Sequence, residues 1–234
     1  PNVMRVNLVV AWFGDDLRCG ECSIAPGVEI AAKTTAPHSW SVAGISRAGA
    51  HLVSSIDGRP SYGGTPSDES VRQTVAMLKT RGFHVTLYPF LLMDIPAGNA
   101  LPDPSGDGAQ PAYPWRGRIT ATAGDAVSQV DAFFDEYRPF ILHYAALADE
   151  AGADGILIGS ELRGLTRLKA GGVFPAVGAL AALATDVHAI VGEGCEISYA
   201  ADWTEYGALV SGDDIDFPLD ALWANDAINY VGLD

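Results

Sequence analysis

Short apolar runs alternate with helix-length amphipathic segments along this chain, and that alternation restricts it to folds built on a parallel sheet. The runs cover residues 6–13, 84–92, 155–160, 196–201 and 228–233. A helix start at Thr65-Pro66-Ser67-Asp68-Glu69-Ser70 leads into Val71, Val75, Leu78 and Lys79 at helical spacing, and Arg81-Gly82 stops it. A long helical pattern over 125–151 contains Phe133, Phe134, Phe140, Ile141, Tyr144, Leu147 and Ala148, with Pro139 marking a break or a new start. A further helix is expected at 175–191 and a short turn near 219–223. Two connections, 14–65 and 93–120, are rich in Gly, Pro, Ser and Asp. Both are too long for ordinary strand-to-helix loops, and insertions of that size tend to carry function.

The chain has 234 residues, 48% of them apolar, which suits one large α/β domain or two small ones. A complete eight-fold barrel needs about 250 residues and eight strands. Five strands fit either an open α/β sheet or most of a barrel lacking its flanks. The Gly-rich phosphate fingerprints of nucleotide-binding open sheets are absent. The expected fold is therefore α/β, a (β/α)8 TIM-barrel-like domain over 1–234, incomplete in this chain and a fragment of a larger protein.

Acids outnumber bases 29 to 14, a net charge of −15. Phosphate contacts need clustered Lys and Arg, so a nucleic-acid partner is not expected, whereas neutral ligands such as sugars are tolerated. No uninterrupted apolar stretch reaches the ~18 residues of a membrane span. Cys19 and Cys22 form a C-x-x-C pair with no second pair of ligands nearby, so neither a metal nor another cofactor is expected. A local disulfide or two free thiols are the alternatives.

Three strand ends carry related chemistry. They are Ala11-Trp12-Phe13-Gly14-Asp15, Gly159-Ser160-Glu161 and Ala201-Asp202-Trp203-Thr204-Glu205-Tyr206. In a parallel barrel these ends share the rim where chemistry occurs. Glu161 closes a run apolar on both faces, which makes it the general acid/base candidate; the simpler alternative is a Glu in the first turn of the next helix. Trp12, Trp115, Arg163, Asp202, Trp203 and Tyr206 are the expected substrate contacts, since indole faces stack on sugar rings while carboxylates and Arg bond their hydroxyls. Asp94 joins them from the end of the second run. Glycoside hydrolysis needs a second carboxyl group. Asp94, Asp202, Glu205 and Asp234 are available, none with a stronger claim than surface solvation. No G-x-S-x-G elbow or His-paired nucleophile is present.

Several long motifs resemble one family. They are Val9-Val10-Ala11-Trp12-Phe13-Gly14-Asp15-Asp16-Leu17-Arg18-Cys19, Asp57-Gly58-Arg59-Pro60-Ser61-Tyr62-Gly63-Gly64-Thr65-Pro66-Ser67-Asp68 and Tyr88-Pro89-Phe90-Leu91-Leu92-Met93-Asp94-Ile95-Pro96. Tyr113-Pro114-Trp115-Arg116-Gly117-Arg118-Ile119, Ile158-Gly159-Ser160-Glu161-Leu162-Arg163-Gly164-Leu165 and Ser198-Tyr199-Ala200-Ala201-Asp202-Trp203-Thr204-Glu205-Tyr206 extend the match. Together they are similar to the TIM-barrel-like domain of gene transfer agent and phage tail-hub (baseplate megatron) proteins. That domain in turn resembles endo-mannanase-like glycoside hydrolases.

The resemblance implies that Glu161 occupies the acid/base position. It also makes the first run the barrel's second strand and 228–234 its sixth, with the nucleophile on a seventh strand beyond Asp234. It further implies a place in a phage-like tail tip, made in the bacterial cytoplasm. The partners would be cell-surface or cell-wall glycans and other tail and baseplate proteins, in hubs that are commonly trimeric. A non-catalytic glycan-binding or structural tail module is the alternative. A free-standing α/β enzyme is a third, weaker reading.

Overall fold

A computed structural model describes residues 3–234. Five strands form a parallel wall: β1 (Arg5–Gly14), β2 (His84–Met93), β3 (Gly155–Ser160), β4 (Glu196–Ala201) and β5 (Gly232–Leu233). Each is hydrogen-bonded to the one before it in the chain. The short piece Ile24–Ala25 adds antiparallel to the end of β1. Spatial order equal to chain order means that every crossover advances the same way around the wall. A doubly wound sheet would reverse at a switch point. The fold is thus α/β and TIM-barrel-like.

β1 and β2 pair without a slip from Arg5↔His84 to Gly14↔Met93. β3 and β4 pair from Gly155↔Glu196 to Leu157↔Ser198, and then the register shifts so that Ser160 faces Ala200. One extra residue has entered β3, a bulge that re-aims the residues after it. Gly159 lies in it at φ +151°, and a Cβ there would stand 2.4 Å from the Tyr137 hydroxyl oxygen, so no side chain fits.

Six helices accompany the strands: α1 (Asp68–Thr80), α2 (Ala126–Ala151), α3 (Arg163–Thr166), α4 (Pro175–Val191), α5 (Trp203–Tyr206) and α6 (Asp220–Trp223). The Ser67 hydroxyl caps α1 by accepting from the Ser70 N–H, and Asp68 and Glu69 in the first turn suit the helix dipole. α2 runs unbroken through Pro139, contrary to the break expected there. The proline lies on the solvent side, where water can take the carbonyl it leaves free. Its cost of about 3 kcal/mol is outweighed by Phe133, Tyr137, Phe140, Ile141 and Tyr144, fully buried below it at about 1.5–3 kcal/mol each.

Strand residues alternate between two faces. Val10, Trp12, Leu87, Leu91, Ile156, Ile158, Ile197 and Tyr199 pack with α2 and α4 in the main core. Tyr88, Phe90, Leu157 and Ala200 form a small cluster on the opposite face. By length and composition, the segment Pro175–Gly194 is apolar enough to cross a membrane. Here its Ala176, Val177, Leu180, Leu183, Ala184 and Val187 are buried in the core.

One further expectation changes, and one alternative is decided. The last strand shrinks from 228–233 to Gly232–Leu233: the Asn229 N–H donates to the Ile197 carbonyl at 2.9 Å, but the Ile197 N–H goes to the Asn229 side-chain Oδ1 at 2.6 Å in place of a backbone carbonyl. The Tyr230 carbonyl is likewise taken by the Ser198 hydroxyl, at 2.6 Å. Cys19, Cys22 and Cys195 are free and buried, and burial pushes the thiols up to about 11, 12 and 11 respectively.

Candidate functional site

Glu161 follows β3 immediately and adopts a left-handed backbone, φ +51°. Such a conformation costs a non-glycine residue about 1–3 kcal/mol and persists only where its surroundings impose it. Its N–H donates to the Ala200 carbonyl at 3.0 Å. The side chain does not cap α3, whose N-terminus has no side-chain cap. Instead the Glu161 Oε2 accepts from the Trp115 indole N–H at 2.8 Å and pairs with Arg116 Nη2 at 2.6 Å.

Arg116 organises this rim. Its side chain is buried, with 5% exposed. Nε donates to the Ser160 carbonyl at 2.9 Å and Nη2 to the Ser160 hydroxyl at 2.7 Å. The guanidinium lies 3.7 Å above the Phe90 ring, within cation–π range. The same Nη2 stands 3.6 Å from Asp234 Oδ2, which accepts from the Tyr88 hydroxyl at 2.5 Å. Burial, reinforced by Asp234, pushes the Tyr88 phenol far above its ordinary range, so it stays protonated as a donor.

Two carboxylates therefore meet one guanidinium nitrogen, at 2.6 and 3.6 Å. Their oxygens cannot be farther apart than the sum of those distances.

Trp115 is 38% exposed and lies across Gly117, where a Cβ would meet its ring at 2.4 Å. Beside it a cleft of about 310 Å³ is lined by Ser105, Trp115, Gly117, Arg118, Thr120, Arg163 and Gly164. Arg163 donates from Nε to the Thr204 hydroxyl at 2.8 Å, which joins this cleft to α5. Asp202 is the N-cap of α5 and accepts from the Thr204 N–H at 2.9 Å. Trp203 and Tyr206 stand out from that short helix, 75% and 53% exposed.

Two expected contacts lie elsewhere. Trp12 is buried on the helix side of β1: it stacks on Phe140 with ring centroids 5.0 Å apart, and its indole donates to the Tyr144 hydroxyl at 3.1 Å. It belongs to the core and not to the rim. Asp94 is also withdrawn from the cleft. It accepts from the Ser54 N–H at 2.8 Å and the Ser54 hydroxyl at 2.5 Å, and pairs with His51 Nε2 at 2.6 Å. Burial acts to raise its carboxyl, but the Ser54 and His51 bonds outweigh it and hold the group below its usual range. Asp94 thus fastens the long 14–65 connection to the end of β2.

Glu205, one of the acids considered as a second carboxyl, is 1% exposed. Oε1 accepts from the Thr166 hydroxyl at 2.6 Å and the Tyr199 hydroxyl at 2.9 Å, and Oε2 from the Asp202 N–H at 2.7 Å. Burial pushes it up to about 6 despite these bonds. Among the described residues no group of three or more His, Cys, Asp or Glu is placed to hold a metal ion.

Of the residues expected from the sequence, Glu161 meets Trp115, and Arg163 meets the short helix that carries Trp203 and Tyr206 and that Asp202 caps; Arg116 and Tyr88, which bond on this rim, were not singled out. The signal for Arg116 was its place beside Trp115 in the second long loop. For Tyr88 it was a polar aromatic inside an apolar strand.

The parallel wall and its helices define an α/β domain of TIM-barrel-like fold. Residues 135–234 match the family model described as the GTA TIM-barrel-like domain. Two structures of a GH113 β-1,4-mannanase, one of them a complex, align with a TM-score of 0.53 at 15% identity, covering 97% of this chain and 50% of theirs. A GH113 β-mannanase from Alicyclobacillus acidocaldarius, in complex with ManMIm, aligns at 16% identity and TM-score 0.49, covering 86% of this chain and 45% of that one. The chain thus spans about half the length of the mannanases it resembles. No curated protein sequence matches it significantly.

Proposed function

We propose that this chain is a glycoside-hydrolase-like domain of a phage-like tail-tip or baseplate hub. It would act on or bind cell-surface or cell-wall glycans during attachment and DNA delivery. The observation that carries the reading is Glu161. It is strained at the end of a parallel strand, and its Oε2 is held by Trp115 and Arg116 beside a polar, aromatic-edged cleft. With Oε2 committed to Trp115 and Arg116, Oε1 is the oxygen left to exchange a proton with a glycosidic oxygen, the role of an acid/base. Trp115 and Trp203 offer ring faces to sugars, and Arg163, Asp202 and Tyr206 lie along the same rim. Asp234 is the second carboxylate on this rim; the family resemblance places a nucleophile farther along the chain. The name of the matching family model supports the tail context, as do the motifs it shares with tail-hub proteins. Assembly there would be with other tail and baseplate proteins, in a trimeric hub.

The test is turnover of mannan-type and peptidoglycan substrates by this chain and by the longer protein, beside Glu161→Gln in each. Glycan-dependent turnover lost by at least about 10²-fold in Glu161→Gln is expected of an acid/base. Equal turnover in both proteins removes Glu161 from the mechanism. One observation favours a second reading, a binding module: Glu161 and Asp234 share one guanidinium, as in a fixed polar platform. Unchanged glycan affinity with no turnover in either protein selects that reading.

A further inference from the structure

We propose that Glu205 is a positioning residue for Glu161, acting through the Tyr199 hydroxyl and the Leu162 backbone N–H. This deepens the reading of Glu161 as the working carboxylate and rests on it. The starting point is a residue that its local role does not explain. Glu205 closes the capping box of the single-turn helix α5, and for that only one oxygen is needed, the Oε2 that accepts from the Asp202 N–H. The whole carboxyl is nevertheless buried, and the partners that meet it are two hydroxyls and a backbone N–H, not a cation. Isolated buried charge is costly and is retained only where specific donors meet it.

The second oxygen has a different role. Oε1 accepts from the Tyr199 and Thr166 hydroxyls. With its proton committed to Glu205, the Tyr199 oxygen presents a lone pair to the Leu162 N–H and accepts from it at 2.7 Å. Leu162 is the next residue after Glu161. The left-handed turn at Glu161 is therefore fastened on both sides, by its own N–H on the Ala200 carbonyl and by the next N–H on Tyr199. Without the acceptor in Glu205, the Tyr199 hydroxyl is free to rotate and to lose its orientation toward Leu162. Glu161 then relaxes from the strained conformation that brings its carboxylate to Trp115.

The Trp115 indole N–H reports this geometry, because it donates to Glu161. Its ¹H–¹⁵N resonance is assigned with Trp115→Phe, and its position without the bond is set by Glu161→Ala. In Tyr199→Phe and in Glu205→Gln the resonance is expected to move at least half of the way to the Glu161→Ala position. The indoles of Trp12, stacked on Phe140, and of Trp40, bonded to the Thr65 carbonyl, lie away from both substitutions and should hold still, since a general loosening of the fold would move them too. A Trp115 resonance that stays at its wild-type position in both folded variants overturns the proposal. So does a comparable shift at Trp12 and Trp40. Failure of both variants to fold cooperatively also overturns it, by assigning the network to global stability. The readout involves no glycan, so loss of the hydrolase reading and loss of this one are separate results.

Discussion

Replacing Arg116 by Met removes the one cation that Glu161 and Asp234 share while keeping much of its volume. Arg116 is 5% exposed and Glu161 20%, so water screens the pair only from the carboxylate side. Breaking a buried pair by deleting one partner costs about 3–5 kcal/mol, because the remaining charge is left uncompensated. The bonds to the Ser160 carbonyl and hydroxyl would by themselves be worth about 1.5–3 kcal/mol each, and the Phe90 contact about 0.5–2. These terms overlap, and the partial exposure of Glu161 discounts the first. About 3–4 kcal/mol is the expected total, near the lower end for buried pairs. For a chain of this size that lowers the thermal midpoint by roughly 6–16 °C. Urea unfolding of wild type, Arg116→Met, Glu161→Gln and the double variant measures it. The coupling between the two positions should exceed about 1 kcal/mol, since the residues touch. Arg116→Lys should recover under half of the loss, because an ammonium cannot span Ser160 and Glu161 as a fork does. A loss under about 1 kcal/mol in Arg116→Met, or coupling within the ~0.5 kcal/mol expected of independent sites, would refute the argument that this guanidinium assembles the rim.

Glu205 predicts a pH dependence. Its folded carboxyl titrates near 6 against 4.5 ordinarily, so between those values the folded state binds more protons than the unfolded state. Its stabilising contribution is complete below about 4.5 and is lost as pH rises through about 6, amounting to about 2 kcal/mol at neutral pH. Urea midpoints from pH 4 to 8 should show this fall in wild type and not in Glu205→Gln; parallel curves would be inconsistent with it. Trp12→Ala should cost about 3–5 kcal/mol in unfolding experiments and, under the proposed glycan-binding function, leave affinity of the folded fraction unchanged. Reduced affinity there would return Trp12 to the rim. Gly159→Ala should destabilise by at least about 1–3 kcal/mol, since it adds both backbone strain and a clash with Tyr137. A neutral outcome in calorimetry would mean that the bulge is not fixed by this contact.

The wall of the barrel was legible because a buried parallel strand leaves an apolar run with sharp ends. β3 and β4 have the bounds read from the sequence, and β1 and β2 extend by one or two residues. The same property hides which face a strand residue takes. In β1, Val10 and Trp12 share the helix-facing side, yet both sides of the run read as apolar, so Trp12 looked equally suited to the rim. Arg116 was hidden for another reason. Its partners Phe90, Ser160, Glu161 and Asp234 come from three strand ends far apart in sequence, and no local pattern announces their convergence. Pro139 misled because helix propensity is local, whereas the apolar face beneath it is a property of the tertiary fold.

The bulge in β3 connects these points. Leu157 belongs to the face opposite the helices, and strict alternation from it would send Gly159 to that face and Ser160 toward the core. The register shift instead aligns Ser160 with Ala200, which shares the face of Leu157. Ser160 is thereby brought to the side where Arg116 takes both its carbonyl and its hydroxyl. Glu161 comes next, in a left-handed turn that sets its Oε2 on the same guanidinium. A regular strand with these residues would bury the serine among apolar helix side chains and leave the arginine without two of its acceptors. The strain at Gly159 and Glu161 is thus the consequence of placing two successive polar residues on one face of a strand.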